Sequence, residues 1–167
     1  MATDEPPLRI TPDMLISRRL DFERRMRRAP PVTLAIIGVL AVIFWAEAAV
    51  GALTSRSGIV AAGALVGERV VAGEYWRLLS ATLLHGSLDH LVGNAIALFI
   101  LGMVCEHAFG RGQFVVLYAA SALAGSLVSL VTSPGPSVGA SGAIFGLQGA
   151  AIVLFRTERD QIGRAHV

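Results

Sequence analysis

The sequence contains no lysine, and all fourteen of its basic residues are arginine. Nucleotide composition alone can set such a bias, so no function is read into it. Cysteine is almost absent. The single Cys105 excludes an internal disulfide and any zinc site built on cysteines, and is expected to serve as a small apolar residue on a helix. Only 16% of the 167 residues are charged and 7% are aromatic, and the net charge is +2. No basic face is interleaved with aromatic residues, so nucleic acid is not an expected partner. What remains is apolar: 54% of residues are hydrophobic and the mean hydropathy is +0.64. That balance suits a membrane protein better than a soluble domain.

The apolar residues fall into four runs, 32–53, 88–105, 114–131 and 142–155. The first, at about 1.5 Å per residue, is long enough to cross a bilayer as a helix. The second and fourth are short for a straight crossing, so their outer ends are expected to start below the membrane surface. The expected fold is all-α: a polytopic helical bundle with about four transmembrane helices. Ahead of it, positions 1–31 form a basic arm. This arm is read either as a disordered segment that sets orientation or as a short interfacial helix, with Leu15, Phe22 and Met26 on one face and arginines around them. Seven arginines lie in the arm, one in the connection 106–113 and none in the loop 132–138. The positive-inside rule then puts the N-terminus in the cytoplasm and that last loop outside.

That loop leads into Gly139-Ala140-Ser141-Gly142. A serine between glycines can act as a nucleophile, because glycine lets the backbone approach a reacting carbonyl. Alone it reads more readily as a helix cap, a position serine favours. About fifty residues upstream, His90 and Asn94 are four apart and share one helical face. Both donors enter an apolar run, where a polar side chain needs a partner or a task. Singly, each fits interhelical glue. Together with a serine N–H they are the parts of an oxyanion hole. Glu47 is expected to snorkel or to pair with a loop arginine, Arg77 to hold its loop, and Glu106 to cap a helix or pair with Arg111. Asp89 is given no role.

The ordered set Trp76-Arg77, His85, His90-x-x-x-Asn94, Glu106 and Gly139-x-Ser141-Gly142-x-x-x-Gly146 resembles the rhomboid intramembrane serine proteases, over roughly 73–150. The resemblance implies a rhomboid-like bundle of six or more helices, with about four present here. It implies Ser141 as nucleophile, His90 and Asn94 as oxyanion donors, and substrates that are transmembrane segments of other proteins in the lipid bilayer. No cofactor or metal is implied. The location this suggests is a bacterial inner membrane. The family's base histidine sits on a later span, so the chain is expected to be C-terminally incomplete and inactive as it stands, with Gly142, Gly146 and Ala150 left open to receive that span. The alternative is a non-catalytic rhomboid-like protein that binds transmembrane clients. Positions 162–167, Ile-Gly-Arg-Ala-His-Val, match a translated sequencing adaptor and are expected to be read-through; His166 is therefore not expected to be the base.

Overall fold

A computed structural model describes the backbone of Met26 and residues 28–164, and side chains within that range as far as Thr157. The arm's expected helix and His166 lie outside the described residues. Among the described residues, seven α-helices follow one another: α1 Pro31–Ala49, α2 Arg56–Ala62, α3 Gly67–Val71, α4 Arg77–Ser80, α5 Leu88–Phe109, α6 Arg111–Thr132 and α7 Ser141–Arg164, with a 3-10 turn at Ala52–Thr54. Helices α1, α5 and α6 are long and apolar enough to cross a membrane, and Ser141–Thr157 is a shorter apolar stretch. Val42, Trp45, Ile96, Ile100, Val116 and Val128 are exposed on them, a surface suited to lipid rather than water.

Helix ends are set by specific partners. Pro31 stands at the start of α1, where its missing N–H costs nothing. The next orphan donors are satisfied from another helix: Val32 N–H donates to Glu106 Oε1 at 3.1 Å and Thr33 N–H to Glu106 Oε2 at 2.8 Å. Helix α5 starts where Ser87 Oγ accepts from His90 N–H at 3.2 Å, a side-chain N-cap. It runs four residues beyond its apolar run and turns into α6 over Gly110 alone, at φ +82°. The charged residues 106–111 are therefore helix ends and not a loop.

Close packing depends on small residues. A Cβ at Gly125 would lie 2.5 Å from Gly142 Cα, and Gly146 has no room for one against Ser121. Backbones approaching this closely are how helices associate in lipid. The stripe Gly142–Gly146 is thus already covered, by α6, contrary to the expectation that it stands open for a further helix. Thr33 sits as tightly against Gly102, 2.6 Å from a Cβ placed there. Leu40, Leu98, Cys105, Phe114 and Leu147 fill the centre between α1, α5, α6 and α7.

Cys105 Sγ lies 3.5 Å from Leu147 O. Cys105 is about four turns past His90, whereas Leu147 is under two turns past Ser141. The start of α7 is therefore recessed relative to the start of α5.

The long connection between α1 and α5 has its own small core of Leu65, Val70 and Ala81. Arg77 holds it. This buried guanidinium donates to Glu74 Oε2 at 2.6 Å, Val60 O at 2.7 Å and Ala64 O at 2.9 Å. Arg69 reaches the other Glu74 oxygen at 3.0 Å, and the two arginines keep that carboxyl below its usual range, Arg77 contributing most.

Candidate active site

The chain reaches Ser141 through a loop anchored at two points. Leu65 and Ser137 exchange backbone hydrogen bonds at 2.9 and 3.0 Å, and Gly139 N–H donates to Ala81 O at 2.8 Å. Gly139 has φ +119°, a conformation glycine adopts without penalty. Ala140 is fully buried, and its carbonyl accepts from Ile144 N–H at 3.1 Å. Ala140 is therefore the capping position and the half-buried Ser141 is the first helical residue. A serine there is not the N-cap. Its own N–H belongs to the first turn, which has no intrahelical acceptor.

His90 and Asn94 come down from α5 onto this turn. A Cβ at Gly139 would stand 2.6 Å from His90 Cε1, 2.8 Å from His90 Nε2 and 3.4 Å from Asn94 Nδ2. Two of the three polar residues singled out in the sequence thus meet at Gly139, and the third, Ser141, follows it by two positions. Only a residue without a side chain leaves room for the imidazole.

Behind them lies a layer whose contacts the sequence did not reveal. His85 is fully buried, and its Nε2 is 3.0 Å from Asn94 Nδ2. Its ring meets His90 edge-on at 5.2 Å between centroids. Its backbone N–H donates to Glu47 Oε2 at 3.2 Å. Glu47 is itself buried, so it neither snorkels nor pairs with a loop arginine; Arg69 and Arg77 are both engaged by Glu74. His85 lies in the connection ahead of α5, where burial first and the neighbouring His90 second push its pKa down to about 4. The Leu83 carbonyl opposes that shift without the alignment of a hydrogen bond.

Other candidates lie elsewhere. Glu106 is committed to α1, and His107 Nδ1 is 2.7 Å from Met103 O at the far end of α5. Asp89 is exposed. A cavity of about 340 Å³ opens beside the site, lined by Leu53, Arg56, Ile59, Gly86, Pro136 and Val138 among others. It borders the loop leading to Ser141 rather than Ser141 itself.

Comparison with known proteins bears on the family of the chain. Residues 72–167 match the family model described as Rhomboid domain. The chain is 38% identical over 135 residues to Rhomboid protease GluP of Bacillus subtilis, an alignment covering 81% of this chain and 27% of that protein. It is 36% identical over 155 residues to Putative rhomboid protease YdcA of the same organism, covering 89% of this chain and 74% of that protein. To Rhomboid protease AarA of Providencia stuartii it is 30% identical over 139 residues, covering 73% and 49%. The chain therefore spans well under two thirds of GluP and AarA and about three quarters of YdcA.

Proposed function

The chain belongs to the rhomboid family, and from that premise we propose that it carries the nucleophile and oxyanion site of an intramembrane serine endopeptidase. The observation that carries this reading is the convergence of His90 and Asn94 on Gly139, two residues ahead of Ser141. Ser141 Oγ attacks the carbonyl carbon of a peptide bond in a transmembrane segment of another protein. The oxygen of that carbonyl gains negative charge, met by the Ser141 N–H and by donors from His90 and Asn94. Such donors act on charge that exists only as the transition state forms. The C–N bond then breaks, the amine leaves with a proton, and water releases the acyl group from Ser141.

Serine requires a neighbouring base to give up its proton. The family resemblance assigns that base to a histidine on a later span, so the full reading frame of the gene is the material to test. The arginines concentrated in the arm support a reading in which the protein lies in a bacterial inner membrane, N-terminus in the cytoplasm and the site open to the outside. The deciding experiment is labelling of the full-length protein in membranes with a serine-directed fluorophosphonate. Labelling that disappears in Ser141→Ala is expected; labelling that persists in Ser141→Ala, or none in the wild type, would overturn the assignment.

A further inference from the structure

We infer that His85 is a positioning residue for this site: its ring holds the Asn94 amide with the NH2 end, and not the carbonyl, turned to the Gly139–Ser141 turn. The inference rests on the protease reading above for its consequence, but its geometry stands apart. Asn94 Nδ2 is an atom that can only donate. At 3.0 Å from it, His85 Nε2 must accept. The ring is then neutral, with its single proton on Nδ1. The same Asn94 nitrogen lies 3.4 Å from a Cβ placed at Gly139. One amide hydrogen is thus spent on His85 and the other remains for the turn.

An asparagine side chain has two nearly isosteric orientations, and only its partners choose between them. Exchanging the two ends would put Oδ1 against Nε2, two acceptors face to face unless the ring moves its proton from Nδ1 to Nε2. It would also aim an acceptor at the place where negative charge develops in the proposed reaction. With its proton on Nδ1, His85 disfavours an arrangement that would work against the oxyanion. The ring is in turn held in place. It is fully buried, its own backbone N–H is tied to Glu47, and His90 packs against its edge. Burial and His90 both disfavour a second proton, which would remove the acceptor. With Nε2 occupied as acceptor, the single proton belongs on Nδ1, which is buried without a hydrogen-bond partner of its own.

A role exerted through Asn94 predicts a specific kind of non-additivity. In the full-length protein, reconstituted with a transmembrane reporter substrate, His85→Leu should lower kcat towards the level of Asn94→Ala. The scale for one oxyanion donor is roughly 10²-fold, and KM should stay within about twofold, because ground-state binding is untouched. The double variant should be no slower than Asn94→Ala alone. His85→Gln, whose side-chain carbonyl can accept from the same amide, should recover most of the rate. If the two single losses multiply in the double variant, or Gln recovers nothing, His85 is only a packing residue and the inference falls. Nitrogen-15 NMR of the histidine rings in detergent-solubilised wild type provides a second reading independent of turnover. A proton on Nδ1 of His85 with Nε2 bare supports the inference; a proton on Nε2 overturns it. If the wild type shows no Ser141-dependent cleavage, the protease reading fails, and the ring spectrum still decides the His85–Asn94 pair.

Discussion

Glu106 accepts from Thr33 twice: its Oε2 takes the backbone N–H at 2.8 Å and the hydroxyl at 2.9 Å. The carboxylate near the end of α5 thus does the work of an N-cap for α1, which has none from its own preceding residue, Pro30. The negative charge also faces the positive end of the α1 dipole. Because Glu106 also takes the Val32 N–H, removing it strands three donors at once. Glu106→Ala is expected to cost about 2–4 kcal/mol, since hydrogen bonds to a charged group are each worth roughly 1.5–3 kcal/mol and do not add fully. Glu106→Gln keeps one acceptor oxygen and should fall between. Thermal unfolding in detergent measures both; a wild-type midpoint in Glu106→Ala would mean that α1 is capped by other means.

The same pair fixes the relative direction of two helices. The start of α1 and the end of α5 lie together, while Glu47 near the end of α1 reaches His85 just before α5. With the arginines concentrated in the arm, this end should be cytoplasmic. Reporter fusions after Arg28, Thr132 and Arg156 are expected to read inside, outside and inside. An outside signal after Arg28 would invert the whole placement.

His85 gives the stability a definite pH dependence. Its pKa is about 4 in the folded protein against an ordinary 6.5. Between these values the unfolded chain binds more protons than the folded one, so stability rises with pH there. The contribution is complete above about pH 6.5 and is lost progressively as pH falls towards about 4. The groups around His85, Glu47 from α1 on its backbone N–H and His90 and Asn94 from α5 against its ring, remain in place in His85→Gln. That variant should therefore show a flatter decline in thermal midpoint across this window. An unchanged slope would mean that another group carries it.

The residues proposed for the site could be picked out because their chemistry is local. A serine between glycines and two donors four apart on a helix announce themselves in an apolar chain. What a sequence conceals is partnership across distance. Glu47 reads as a costly charge near a helix end, yet nothing in its neighbourhood points to the backbone of a residue 38 positions away. Glu106 reads as a cap, but the donors it caps lie 73 and 74 positions earlier. The stripe Gly142–Gly146 shows that something approaches closely and not what does; its occupants are Ser121 and Gly125 of the preceding run. His85 was visible only as a member of the ordered motif, since a histidine in a loop does not reveal that it will be fully buried.

For the donors, the expected effect follows from where charge develops. In full-length protein, His90→Ala and Asn94→Ala should each lower kcat by roughly 10²–10³-fold while changing KM little. Because the Ser141 N–H remains in both, the double variant should lose less than the product of the two. Full activity in both singles and the double would remove these residues from the site.

Gly139 offers the sharpest test of the geometry, because two independent constraints meet at one atom. Its φ of +119° is strained for any residue with a side chain, and an added Cβ would stand 2.6 Å from His90 Cε1 and 2.8 Å from His90 Nε2. Gly139→Ala cannot relax by moving the turn alone, since Gly139 N–H is tied to Ala81 O and the preceding Ser137 to Leu65. The imidazole must yield, taking His90 away from the turn. Gly139→Ala is therefore expected to abolish Ser141-dependent cleavage. The control lies on the same chain: Gly149 has nothing within 4 Å of its would-be Cβ, and in mid-helix alanine is favoured over glycine by about 1 kcal/mol. Gly149→Ala should keep wild-type turnover and a midpoint at least as high. Wild-type cleavage by Gly139→Ala would show that His90 need not approach this turn for the reaction to proceed.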